Sequence, residues 1–372
     1  MKRLSSIDAA RGLVMLLMLV DHVRESFYIH AQVSDPVSVV STPADLFFTR
    51  LCAHLCAPVF ILLTGLGASL FENKNTKRET TSFLFKRGLF LIVLELTLIN
   101  FGWSFSFTPS MIYLQVIWAI GLAMISLSAL IWLPPRLLIA LGLAIVIGHN
   151  LLDPITFSPH EWGYTLWAII HDRSVIEVSS ALKIRTSYPV LPWIGVIILG
   201  YAIGPWFKND EKSRSTKLLG AGLGSLLLFV ILRAFNQYGD FYPWGDYGNA
   251  LLNTMSFLNL TKYPPSLDFL LLTIGTGLIV LSLMEKRTKI SEYLSVYGST
   301  PMFFYVVHIY LLNVMNRLAK LTWGPNQGIH FSAPNVLSLW LIAAVIAIPL
   351  YFMCQWYGQI KRKSQNPILK YF

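Results

Sequence analysis

The sequence predicts an all-α protein, a polytopic transmembrane helical bundle of about 10 helices with N-in and C-in topology. Three observations carry that prediction. Hydrophobic residues make up 55% of the 372 and charged residues only 13%, where a soluble domain carries about 25% charged residues. Ten stretches are apolar enough to cross a bilayer, at about 20 residues per crossing. Lysine and arginine gather in one set of the loops between them, the asymmetry that orients membrane helices.

The crossings fall at residues 9–28, 47–71, 87–106, 111–132, 135–152, 189–207, 217–235, 267–285, 299–318 and 336–359. In the first, an apolar run from Leu13 to Val20 is bracketed by Asp8 and Arg11 before it and by Asp21, His22, Arg24 and Glu25 after it. A basic start and an apolar run also describe a signal peptide, but charge stands where a small-residue cleavage site would be needed, so a retained helix is expected. The second crossing begins with Arg50-Leu51-Cys52-Ala53-His54-Leu55-Cys56-Ala57-Pro58. Glu95 and Asn100 lie in the third, and Gln115 in the fourth. The fourth ends at Leu133-Pro134-Pro135-Arg136, because proline cannot continue a helix. The fifth closes on His149, Asn150 and Asp153, and the ninth encloses His308. Gly65-Leu66-Gly67 and Gly275-Thr276-Gly277 read as small residues for close helix packing. No internal repeat is visible, and the chain reads as one membrane domain, 1–372.

If the N-terminus is cytoplasmic, 20 of the 29 Lys and Arg residues lie inside, among them Lys2, Arg3, Lys86, Arg87, Arg136, Lys208 and Lys370. The net charge of +10 is then a consequence of topology, and no nucleic-acid partner is expected. Three outer loops are long, at 29–46, 153–188 and 236–266. In the second, Ser158 to Ile170 fits a short interfacial helix with Trp162 and Trp167 as anchors. The third runs Tyr238-Gly239-Asp240-Phe241-Tyr242-Pro243-Trp244-Gly245-Asp246-Tyr247. Its aromatics and acids suit either an interfacial belt or a sugar. The three cysteines, Cys52, Cys56 and Cys354, give no disulfide framework. Cys52, His54 and Cys56 alternate along a helix and cannot converge, so no metal is expected.

Ionisable groups at membrane depth mark functional sites. Arg11 and His22 are eleven residues apart, about three turns plus 20°, and share a helix face. Asp8, three residues before Arg11, can pair with it. His22 lies in the outer half of the membrane, where a neutral imidazole can act as general base or acyl acceptor. It follows Asp21. His54 is expected at a similar depth. Pro58 leaves its carbonyl without a helical partner, so a structural role stands beside a catalytic one. His308 is expected to face the protein interior. Glu95 reads as a proton relay or as a partner for Arg11. An anionic donor on the inner side would meet Arg11, Lys86 and Arg87, or the 208–217 loop.

Ser6-Ile7-Asp8-Ala9-Ala10-Arg11-Gly12-Leu13 is similar to the opening of the transmembrane acyltransferases related to heparan-alpha-glucosaminide N-acetyltransferase, including bacterial relatives. The spacing from Arg11 to His22 also resembles the first-helix motif of the integral-membrane O-acyltransferases that modify bacterial surface sugars. The likeness extends to Ala57-Pro58-Val59-Phe60, to Leu191-Pro192-Trp193-Ile194-Gly195, and from Pro301 to His308. The resemblance implies an acyl group, most simply acetyl, drawn from acetyl-CoA on the cytoplasmic side. It implies an extracytoplasmic sugar or other small acceptor, and a bacterial inner-membrane location. It also implies an essential histidine near the first helix, with His22 favoured and His30, in the following loop, as the alternative. Asp21, His54 and His308 complete the catalytic candidates, and Asp8, Arg11, Lys86 and Arg87 the donor-binding ones. Association with further copies of the chain is open. The competing expectation is a proton-coupled transporter or lipid flippase built on the same intramembrane groups, a class in which inverted repeats are common.

Overall fold

The computed structural model describes residues 5–364, 366 and 369. Lys2, Arg3 and Lys370 of the inner charge lie outside the described residues. The chain is an all-α helical membrane protein, and its helices run α1 Ser5–Phe27, α2 Ala44–Ala53, α3 Cys56–Glu72, α4 Lys77–Leu94, α5 Asn100–Ser104, α6 Val116–Leu130, α7 Pro135–Gly148, α8 Tyr164–Ile170, α9 Leu191–Ala202, α10 Glu211–Phe235, α11 Ala250–Leu258, α12 Leu267–Leu283, α13 Lys289–Gly298, α14 Pro301–Trp323 and α15 Val336–Lys363. By length and apolar composition six segments can cross a membrane: Ala44–Glu72, Pro135–Leu152, Leu191–Lys208, Glu211–Phe235, Pro301–Trp323 and Val336–Lys363. Val116–Leu130 and Leu267–Leu283 are shorter apolar helices.

Helix occupies most of each of the ten expected crossings, with local differences that have physical causes. The second is broken at His54 and Leu55, between α2 and α3, and Pro58 is the third residue of α3. The third runs from α4 through a π-helical turn at Glu95–Ile99 into α5. The fourth begins with a strand, not a helix. Strands β1 Met111–Leu114, β2 Val175–Glu177 and β3 Lys183–Thr186 form a small sheet of order β1-β3-β2. β1 pairs parallel to β3 with Ile112 opposite Ile184, and β2 pairs antiparallel to β3. The alternating Lys183-Ile184-Arg185-Thr186 is the strand-like pattern in that loop. The surface helix expected over Ser158–Ile170 is confined to α8. The chain reverses at Gly163, which adopts a positive φ of 96°.

The described chain divides into two compact units. One comprises residues 1–56, 246–259 and 280–372. In it, α1 is the central helix, packed on α13, α14, α15 and α2. Gly12 of α1 and Gly298 of α13 meet backbone to backbone. A Cβ at Gly12 would overlap the carbonyl oxygen of Leu294, and one at Gly298 that of Asp8. Tyr297 Oη donates to the Ala347 carbonyl of α15 at 2.9 Å, and Trp340 Nε1 of α15 donates to Thr49 Oγ1 of α2 at 3.0 Å.

The other unit comprises residues 57–245 and 260–279. Its helix pairs also cross at glycines. Gly65 of α3 lies against the Ile197 carbonyl of α9, and Gly275 of α12 faces Gly222 of α10. Gly67 is a correction, since a Cβ there would meet nothing within 4 Å. Asp240 anchors the aromatic loop of this unit. Its carboxylate accepts from the Thr261 backbone N–H, Thr261 Oγ1, Ser266 Oγ and the Tyr242 backbone N–H at 2.6–3.0 Å. That acid is committed to the loop's own structure, and Phe241, Tyr242 and Tyr247 of the loop are exposed.

Candidate active site

His22 and His308 come together. They lie on α1 and α14, 286 residues apart, with His22 Nδ1 at 2.7 Å from His308 Nε2. The rings are nearly coplanar and meet edge to edge, with centroids 4.9 Å apart and planes 15° apart. Tyr305, one turn before His308, stands edge-on to both rings, with centroids 5.8 Å from His22 and 5.5 Å from His308. His308 is fully buried and His22 is half-buried.

The hydrogen-bond network assigns the protons. His308 Nδ1 is 2.7 Å from the Phe304 carbonyl, which can only accept, so Nδ1 of a neutral His308 carries the hydrogen. Nε2 of His308 is then the acceptor, and His22 Nδ1 donates to it. The basic lone pair of a neutral His22 is therefore on Nε2. A buried carbonyl thus fixes the tautomer of one ring, and that ring fixes the tautomer and orientation of the other.

α1 is held on both sides of His22. Toward its start, Arg11 Nη1 donates to Asp8 Oδ1 and to the Gly298 carbonyl, each at 3.2 Å. Toward its end, Asn316 Nδ2 of α14 donates to the Ser26 carbonyl at 2.9 Å, and the Ala333 N–H donates to the Phe27 carbonyl at 2.7 Å. Asp21, expected to tune His22, is engaged by buried Arg24, whose Nε donates to Asp21 Oδ1 at 2.9 Å. Arg24 also reaches Glu25 at 3.1 Å.

The other candidates are placed apart from this pair. His54 is buried at the break between α2 and α3, beside a small crevice lined by Asp35, Phe47, Arg50 and Asn259. Its expected depth is corrected. Cys56 donates to the Val14 carbonyl, eight residues before His22, or about 12 Å along the helix. His54, two residues earlier, accordingly lies below His22 toward the start of α1. His30 is exposed on a 3-10 turn, edge-on to Tyr28 with centroids 4.5 Å apart.

Among the donor-site candidates, Arg11 and Asp8 form the ion pair above. Lys86 is exposed on α4 along the apolar face of Leu89 and Val93, as for a lysine reaching from a lipid-facing helix to the interface. Arg87 stacks on Phe83 at 5.8 Å. Glu95, read as a proton relay or partner of Arg11, accepts instead from the Trp118 backbone N–H at 3.2 Å and is fully buried. Its carboxyl group satisfies an N–H at the start of α6, where Gln115 provides no side-chain cap; helix N-termini leave such N–H groups orphaned. Lys208 does line a cavity of about 330 Å³ with Lys77, Glu72, Asn73 and Tyr201, and Tyr201 Oη donates to the Glu72 carboxylate.

Sequence reasoning missed Gly298 and Asn316, which seat α1, and it did not pair His308 with His22. Gly298 is followed by Ser299, Thr300 and Pro301, a helix-boundary signature, but nothing in that signature names Gly12 as its partner. A comparison with curated proteins matches none. The family model described as heparan-alpha-glucosaminide N-acetyltransferase, catalytic, matches residues 3–232, a span that holds Arg11, His22, His30 and His54 and stops short of His308. The chain therefore belongs to the heparan-alpha-glucosaminide N-acetyltransferase catalytic family.

Proposed function

We propose that the chain, taken as one acyltransferase-like domain over 1–372, moves an acetyl group from acetyl-CoA to the hydroxyl or amine of an extracytoplasmic sugar or other small acceptor, with His22 as general base. The hydrogen bond from His22 Nδ1 to His308 Nε2 at 2.7 Å carries this reading. It makes Nε2 the basic nitrogen of a neutral His22 and gives the imidazolium formed during reaction an acceptor for its other N–H. His22 Nε2 takes the proton of the acceptor O–H or N–H as its oxygen or nitrogen attacks the thioester carbonyl. The tetrahedral intermediate collapses with cleavage of the C–S bond, and the imidazolium returns the proton to the departing thiolate. The products are the acetylated acceptor and CoA thiol. His308 positions the base and touches no reacting atom.

The orientation set by Lys and Arg supports a donor entering near Arg11 and an acceptor entering near His22. Placement in a bacterial inner membrane rests on the resemblance of Ser6 to Leu13 to the family's bacterial relatives. A transporter would use the same buried groups for protons; the family match favours transfer chemistry.

The test is acetyl-CoA turnover by purified protein in detergent or nanodiscs with a panel of amino and hydroxyl sugars. His22→Ala should lower kcat by about 10²–10⁴-fold, the usual share of general acid–base catalysis, in a protein that still folds in detergent. Equal turnover in wild type and variant would remove His22 from the mechanism. Failure of any CoA thioester to bind would move the transporter reading ahead.

A further inference from the structure

We propose that His149, Asp153 and His171 form a binding site for a zinc-like divalent metal ion that ties the end of α7 to the end of α8. One donor atom from each residue lies within 4.8 Å of the others. His171 Nε2 and Asp153 Oδ1 are 3.4 Å apart. That equals the ligand–ligand edge of a tetrahedral zinc site, about 3.4 Å for bonds of about 2.0–2.1 Å. With all donor pairs within 4.8 Å, the widest need close by at most about 1.4 Å to complete the set.

A second observation points at a ligand. His149 is 2% exposed, yet neither of its ring nitrogens makes a hydrogen bond, and Asp153 Oδ1 accepts none. Buried polar groups are ordinarily satisfied. An imidazole sealed from water beside a second imidazole and a carboxylate is the exception that a cation would resolve. Two neutral imidazoles and one carboxylate are a borderline donor set that suits zinc. They would leave a coordination position for water.

The surroundings hold the donors in place. His149 and Asp153 bracket a 3-10 turn, four residues apart. Asn150 Nδ2 donates to Asp153 Oδ2 at 2.8 Å, and Asn150 Oδ1 accepts from the Leu267 N–H at 2.8 Å. Such partners orient metal-binding carboxylates. The His171 ring stacks on Trp167, with centroids 5.1 Å apart. Nε2 of His171 now bonds to the His149 carbonyl at 2.9 Å. Binding through that nitrogen exchanges the hydrogen bond for a metal bond, with the ring hydrogen moved to Nδ1 and no net proton lost. Sequence reading placed His149, Asn150 and Asp153 at the end of the fifth crossing. His171 joins them only through the fold.

The experiment uses the full-length chain, purified through a tag without histidines and without chelator, from cells grown with added zinc. Metal content by plasma mass spectrometry should be about one zinc per chain, and replacement by Co²⁺ should give the visible bands of a tetrahedral or five-coordinate centre. Asp153→Asn preserves size, and His171→Ala removes a ring. Each should weaken zinc binding by more than about 100-fold, beyond the loss of a merely orienting partner. His160→Ala, an exposed histidine on the same loop, should keep the full metal content and serves as the control for loop integrity. A chain that neither carries zinc nor binds added Zn²⁺ or Co²⁺ overturns the proposal, as does zinc retained by both ligand variants. The readout does not depend on acetyl transfer, so it stands or falls separately from the function proposed above.

Discussion

His22 gains its chemical direction from two other residues. Phe304 supplies a carbonyl, and His308 transmits its polarity through one ring to the next. The pair predicts a graded response. His308→Leu removes the acceptor and should lower kcat by about 10²-fold or more; loss of the residue that orients a catalytic histidine costs up to about 10⁴-fold in the serine-protease case. His308→Gln offers a carbonyl oxygen to His22 Nδ1 and should recover part of that loss. KM for the acyl donor should change little in both, since His308 touches no substrate, so kcat and KM measured separately distinguish positioning from binding. A fall confined to KM would contradict the assignment.

At the scale of the element, α1 is a rigid mount for that base. It is seated at one end by the Gly12–Gly298 backbone contact and the Arg11 bond to the Gly298 carbonyl, and at the other by Asn316 and Ala333. Overpacking a tight contact costs about 1–3 kcal/mol, and here the obstruction is backbone, which cannot rotate away. Gly12→Val should therefore lower the unfolding temperature in detergent sharply, while Gly67→Ala, in open space within α3, should leave it equal or slightly raised. A Gly12 variant with wild-type stability would mean that the α1–α13 crossing relaxes freely. Catalytic geometry also depends on this seat, since a misplacement of about 1 Å can cost about 10²-fold in rate.

For the molecule as a whole, the exposed apolar side chains fall in bands. Leu337, Leu341, Val345, Ile348 and Phe352 run down one side of α15, and Leu219, Leu223, Leu227 and Val230 down α10. Spacings of three and four residues make each band a continuous helix face, the surface a lipid chain would cover. The charge asymmetry then predicts topology. In a chain whose cysteines 52, 56 and 354 are replaced, Ser179→Cys should react with an impermeant maleimide on intact cells. Lys212→Cys should react only after permeabilisation. The reverse pattern would invert the proposed direction of acyl transfer.

The sequence by itself determined the fold class, because the length and apolarity of a crossing are local properties of the chain. It also determined that α1 carries charge at both ends, and that Arg11 and His22 share a face, since helical periodicity is local too. The prolines at 134 and 135 ended a helix where expected for the same reason. Tertiary structure alone decided which polar groups meet. His22 and His308 are separated by 286 residues, and no spacing rule connects positions on different helices. It likewise assigned Glu95 to the start of α6, turned residues 111–114 into a strand by supplying β3 as a partner, and brought His171 to His149 and Asp153. A buried donor or acceptor is satisfied by whatever group the fold puts within reach, and that group is set by packing, not by its place in the chain.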